Sequence, residues 1–148
     1  MVWKPHVTVA ALAQDDAGRF LFVEERADGR IVLNQPAGHL EPGETLTDAV
    51  RRETLEETAW QFEPEALVGI YRWHDPANAK TFLRVTFTGR AVSHDPGRAL
   101  DDGILRALWL DEEALRSERE RLRSPLVWRC IEDFGIGRRF PLELLQDL

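Results

Sequence analysis

The sequence predicts a mixed-sheet α/β or α+β layered domain, with residues 1–148 forming one unit. Three observations carry this. Extended segments with period-two or apolar patterning recur along the chain. Three stretches between them carry helix start and stop signals. Strands and helices do not alternate strictly, as a purely parallel sheet would require.

Taken in order, residues 5–13 read as a strand, "DDAG" (15–18) as a turn and "RFLFVEE" (19–25) as a second strand, so the two form a hairpin. "DGR" (28–30) is another turn, and "IVLNQPAG" (31–38) is extended. "EPGET" (41–45) is a loop. Residues 46–58 lack Gly and Pro, and Thr45 with Asp48 resembles a capping box, so this stretch is a helix. Extended segments follow at 66–74, 80–91 and 104–110, then a short charged helix at 111–120. Ser124 caps a last helix over 125–134, with Pro125 at its first position, Gly135 past its end, and Leu126, Val127, Cys130, Ile131 and Phe134 along its buried side.

Composition narrows the function classes. A chain of 148 residues is long enough for a real core. Its net charge of −7 argues against nucleic-acid binding through a basic surface. No run approaches the ~18 apolar residues of a membrane helix. "VTVAALA" (7–13) is too short for a signal peptide, and its alternation reads as a strand. A single cysteine, Cys130, precludes an intrachain disulfide, so the expected setting is a reducing cytoplasm. The expected oligomeric state is monomer or homodimer.

The stretch "GHLEPGETLTDAVRRETLEETAW" (38–60) concentrates the chemistry. At about 100° per residue, Glu53, Glu56 and Glu57 fall on the side of Leu46, Ala49 and Val50. Asp48, Arg51 and Leu55 point elsewhere. Glutamates three and four residues apart repel one another, more so when desolvated. Glu56 and Glu57 also lie near the helix C-terminus, where the macrodipole disfavours negative charge. An ordinary solvated face would not accept these costs together. A hard divalent cation offsets them, and carboxylate oxygens suit Mg²⁺ or Mn²⁺.

These residues resemble the Nudix hydrolase signature Gly-x5-Glu-x7-Arg-Glu-U-x-Glu-Glu-x-Gly-U, where U is a bulky apolar residue. Gly38, Glu44, Arg52, Glu53, Glu56 and Glu57 occupy its glycine and charged positions. Thr54 stands where an aliphatic residue is usual, and Ala59 where the second glycine is usual. "KPHVTVA" (4–10), "NQPAGHLE" (34–41), "FLR" (82–84), "LRSPLV" (122–127) and "RRFPLELL" (138–145) resemble the NudJ-type phosphatases within that family. The resemblance implies an α/β/α sandwich around a mixed β-sheet. It implies Mg²⁺-dependent hydrolysis of phosphoanhydride bonds in nucleoside di- or triphosphates, thiamine pyrophosphate or hydroxymethylpyrimidine pyrophosphate. The partner implied is thus a small phosphorylated molecule.

On that pattern Glu53, Glu56 and Glu57 are expected metal ligands, and Glu53 or Glu57 the base that takes a proton from water. Glu44 and Arg52 are expected to form an ion pair that orients the helix, supporting the site with Gly38. "DDG" places Asp101 and Asp102 in a loop before a late strand, where they serve either as a plain turn or as further site carboxylates. Trp73, Phe82 and Trp3 are candidate stacking surfaces, and Arg72, Arg84 and Lys80 candidate phosphate contacts. His6 and His39 are expected to hydrogen-bond structurally. A competing expectation is a nucleotide-binding sensor domain that has lost catalysis; the complete glutamate set argues against it.

Overall fold

The computed structural model describes all residues 1–148. Its elements are β1 (His6–Ala13), β2 (Phe20–Ala27), β3 (Arg30–Asn34), β4 (Ala37–His39), α1 (Leu46–Thr58), β5 (Trp60–Asp75), β6 (Lys80–His94), β7 (Ile104–Leu110), α2 (Glu112–Ser117) and α3 (Pro125–Gly135). Short 3-10 turns cover Arg119–Arg121 and Leu142–Leu144.

The strands form two sheets, ordered β4-β1-β6-β5 and β3-β2-β7. The first is mixed: β1 runs parallel to β6 and antiparallel to β4, while β5 and β6 form a long antiparallel hairpin. Alternation along β1 explains the layering. Val9, Ala11 and Ala13 pack with Ala49 and Val50 of α1, whereas Leu12 packs with Val127, Cys130 and Ile131 of α3. Helices therefore cover both faces of the mixed sheet, the α/β/α arrangement expected. No helix is long and apolar enough to cross a membrane.

The expected β1–β2 hairpin is corrected. Its turn forms locally: the Asp15 N–H donates to Arg19 O at 2.8 Å, and Gln14 bridges Phe20. Beyond that bridge the strands separate into different sheets. β1 finds its partners in β4 and β6, and β2 in β3 and β7. A turn fixes only the first pair; burial of both faces of β1 decides the rest. The extended run 31–38 likewise divides into β3 and β4, with Gln35 and Pro36 carrying the chain from one sheet to the other. β5 begins at Trp60, directly after α1, rather than at residue 66, and the 111–120 helix breaks into α2 and a 3-10 turn.

The cap expected for α1 is present, with Thr45 Oγ1 accepting from the Asp48 N–H at 3.0 Å. Its other end explains Ala59. That residue takes φ 61° as the left-handed C-cap, and its N–H donates to Leu55 O. Alanine thus adopts a conformation that glycine adopts without steric cost. Thr54 is fully buried, and its hydroxyl donates to Val50 O at 2.7 Å, so a polar side chain fits an apolar position.

Candidate active site

Arg52 organises the acidic end of α1. All five of its N–H groups are used. Nε and Nη2 donate to the two Glu44 oxygens at 3.0 and 2.7 Å, and Nη2 also donates to His39 O at 3.0 Å. Nη1 donates to Glu53 Oε1 at 2.8 Å and Glu56 Oε2 at 3.3 Å. The rigid guanidinium fork thereby ties the loop before α1, strand β4 and two helix carboxylates into one unit. The Arg52 bond holds the Glu44 carboxyl below its usual range.

Glu53, Glu56 and Asp101 bring one carboxylate oxygen each within 4.8 Å of one another. Asp101 arrives through backbone chemistry. Glu56 O is one of the last helix carbonyls, which lack an intrahelical donor, and the Asp101 N–H donates to it at 3.0 Å. Asp102 is exposed and outside this trio. Glu57 also stands outside it: the residue is buried, with Oε1 accepting from the Ala37 N–H at 2.9 Å. Burial pushes the Glu57 carboxyl up to about 9, with Glu25, Glu53 and Asp101 adding to the effect. Burial also raises Glu53, against the opposing pull of Arg52.

Gly38 has a specific reason to be glycine. A Cβ there would stand 2.1 Å from Glu53 Cδ and 2.2 and 2.4 Å from its oxygens. The close approach of β4 to Glu53 thus depends on the missing side chain.

Beside the acidic cluster, one face of the mixed sheet carries a polar and aromatic wall. The β1–β6 register pairs His6 with Phe82 and Thr8 with Arg84, and the β5–β6 register pairs Trp73 with Phe82 and Tyr71 with Arg84. Trp73 and Phe82 stack with centroids 5.9 Å apart, and His6 lies 5.4 Å from both Phe82 and His39. His39 Nε2 and His6 Nδ1 are 3.3 Å apart, within hydrogen-bond reach of each other. Two candidates fall elsewhere. Arg72 alternates with Tyr71 and Trp73, so strand geometry turns it to the opposite face. Trp3 precedes β1 and is exposed. Lys80 is exposed at the start of β6.

Arg84 is deeply buried, and its Nη1 donates to Gln35 Oε1 at 3.0 Å. Burial pushes its pKa down. Asn34 Nδ2 donates to Glu25 at 3.2 Å, and Arg123 Nη1 donates to the same Glu25 oxygen at 2.8 Å. Gln35, Asn34 and Glu25 were not singled out by sequence. The only signal was a polar pair inside an otherwise apolar extended run.

Comparison with known proteins agrees with this geometry. The NUDIX domain model matches residues 4–129. Phosphatase NudJ of Escherichia coli (strain K12) is 38% identical over 146 residues, covering 99% of this chain and 94% of that protein. A NUDIX hydrolase from Nitrosomonas europaea superposes with a TM-score of 0.94 at 51% identity, covering 98% of both chains. The MutT protein from Methanosarcina mazei Go1 superposes at 0.73 with 25% identity, covering 92% of this chain and 97% of that one. With the signature on α1, the helices on both faces of a mixed sheet and these matches in agreement, the chain belongs to the Nudix hydrolase family.

Proposed function

We propose that the protein hydrolyses phosphoanhydride bonds in nucleoside di- or triphosphates or in related small organic pyrophosphates, such as those of thiamine or hydroxymethylpyrimidine, and that it needs Mg²⁺, with Mn²⁺ as a substitute. The observation that carries the proposal is the convergence of Glu53, Glu56 and Asp101 oxygens beside a buried Glu57. The similarity to a protein named phosphatase NudJ supports hydrolysis of a phosphate compound.

The donor set suits the cation. It consists of carboxylate oxygens alone, the chemistry of a hard divalent ion and not of a thiolate-binding one. Glu53, Glu56 and Asp101 would hold it, with Glu57 as a fourth ligand once deprotonated. Bound there, Mg²⁺ supplies charge neutralisation to the phosphate oxygens. The remaining work belongs to the chain. Arg52 fixes the rotamers of Glu53 and Glu56, so the carboxylates are placed before substrate arrives. With a cation offsetting the neighbouring carboxylates Glu57 would be ionised, and its oxygen not fixed by the Ala37 N–H would take a proton from the attacking water; Glu53 is the second candidate for that role.

The test is a panel of nucleoside di- and triphosphates, thiamine pyrophosphate and ADP-ribose with purified protein and Mg²⁺, scoring orthophosphate and pyrophosphate separately. Glu57→Gln is expected to abolish release while retaining the native circular dichroism spectrum. Undiminished Mg²⁺-dependent release by that variant would remove Glu57 from catalysis. Full activity after exhaustive chelation would refute the metal requirement.

A further inference from the structure

Four buried side-chain atoms have no hydrogen-bond partner: Thr8 Oγ1, Asn34 Oδ1, Gln35 Nε2 and Arg84 Nε. They come from β1, β6, the end of β3 and the residue that follows it. Gln35 lies two residues before Ala37, whose N–H holds Glu57. The Arg84 guanidinium is close enough to feel the charges of Glu57 and Glu25. Buried polar groups are nearly always paired, and a donor left unmade carries its full desolvation penalty. Thr8 pairs with Arg84 across β1 and β6, and Gln35 bonds Arg84, so three of the four lie together, and unmet groups so placed call for a ligand.

Hydrogen-bond chemistry fixes what they offer. Arginine only donates, so Gln35 must turn its oxygen to Arg84 and its NH₂ away. The Glu25 carboxylate only accepts, so Asn34 must turn its NH₂ to Glu25 and leave Oδ1 free. The crevice therefore presents the Gln35 amide and the Arg84 Nε–H as unmet donors. Arg84 is also a cation only 7% exposed that forms no salt bridge, its one side-chain bond being to a neutral amide. An unpaired buried guanidinium beside free donors is suited to an anion.

We propose that Arg84 binds a phosphate oxygen of the substrate, with Gln35 Nε2 as a second donor to the same phosphate group and Gln35 Oε1 positioning the guanidinium. This rests on the hydrolase proposal for the identity of the ligand. It also deepens it. It names this chain's own donors to a substrate phosphate, Arg84 and Gln35, apart from the carboxylates that would hold the cation.

The test is calorimetric titration with Mg²⁺ and methylenediphosphonate, a non-hydrolysable diphosphate. Arg84→Met is expected to weaken binding by about ten- to a hundredfold, as for loss of a charge-assisted contact. Gln35→Glu is the decisive variant. It keeps the shape but gives Arg84 a carboxylate partner, so Tm should stay at or above that of the parent protein while diphosphonate affinity falls about tenfold. A merely structural role would not move the two in this way. Gln35→Glu binding diphosphonate with undiminished affinity would overturn the proposal, even if Arg84→Met failed to fold. Loss of nucleoside affinity in either variant, with diphosphonate affinity unchanged, would overturn it too, by assigning the crevice to the organic group. The two proposals separate cleanly. Diphosphonate binding that depends on Arg84, in a protein that hydrolyses nothing on the panel, would sink hydrolysis alone. Turnover with an unchanged KM in Gln35→Glu would sink the Arg84 site alone.

Discussion

Gly38→Ala isolates the placement of one carboxylate. Gly38 does not have a positive φ, so the backbone itself accepts alanine. The obstacle is Glu53, whose carboxyl carbon would lie 2.1 Å from the new methyl. Ordinary carbon contacts need about 3.5 Å, so the carboxylate must withdraw by roughly 1.4 Å. The Arg52 Nη1–Glu53 bond at 2.8 Å cannot survive a displacement of that size in the wrong direction. Losing a charge-assisted bond costs about 1.5–3 kcal/mol, and at about 2–4 °C per kcal/mol Tm should fall by no more than about 12 °C. The fold persists because the clash is with the free end of a side chain. Catalysis should suffer far more, since misplacement by about 1 Å can cost about a hundredfold. The measurements are Tm, kcat and Mn²⁺ affinity by electron paramagnetic resonance. Adding Glu53→Asp removes one methylene, so it should relieve the clash without restoring kcat. A Gly38→Ala protein with the parental kcat and metal affinity would refute the reasoning, because Glu53 would then not need the place this geometry gives it.

Two further outcomes follow from the same site. Glu57 releases its proton near 4.5 in the unfolded chain but only at about 9 in the folded, metal-free one. Between these values the folded state binds more protons, so stability is greatest below about pH 4.5 on this account and declines as pH rises towards 9. At pH 7 the loss is on the order of 3 kcal/mol. Urea denaturation of metal-free protein at pH 5 and 8 measures it; Glu57→Gln should flatten the decline, and a rise in Glu57-dependent stability over that interval would contradict the linkage. Ala59→Gly relieves the left-handed C-cap but removes a buried methyl worth about 0.8 kcal/mol. The net gain should be under about 1 kcal/mol by chemical denaturation, whereas Ala59→Val, branched at Cβ, should clearly destabilise.

The parts of this protein legible in its sequence are those set by local chemistry. Helix α1 could be placed because Thr45 caps it and no Gly or Pro interrupts it, and its three inward glutamates were found from angle alone. What the sequence obscured was set by partners distant along the chain. The turn at 15–18 is locally a hairpin turn, but β1 pairs with β6, whose residues lie more than sixty positions further on. Helical angle places Glu53, Glu56 and Glu57 side by side, yet the Ala37 N–H draws Glu57 aside and the Glu56 carbonyl tethers Asp101 beside the other two. Arg72 was misplaced for want of a register, which decides the face of every strand residue. Asn34 and Gln35 were passed over because polar residues in a short extended run read as surface. Only the joining of two sheets at that point buries them.

The energetics of the crevice connect these observations. Its two walls carry opposite, incompletely balanced charges: Glu53, Glu56, Asp101 and a Glu57 kept neutral by burial on one side, and an unpaired Arg84 on the other. They do not neutralise each other directly. Arg84 is held by a neutral amide, while Arg52 is fully occupied in orienting the glutamates. Either wall alone lowers the stability of the empty protein. A divalent cation carrying a diphosphate corrects both at once, with its metal towards the carboxylates and its oxygens towards Arg84. Binding should therefore stabilise the fold in proportion to ligand excess over Kd, and cation and diphosphate together should raise Tm by more than the sum of their separate effects. That excess is the thermodynamic signature of one site with two unmatched walls, and two independent sites would give simple additivity.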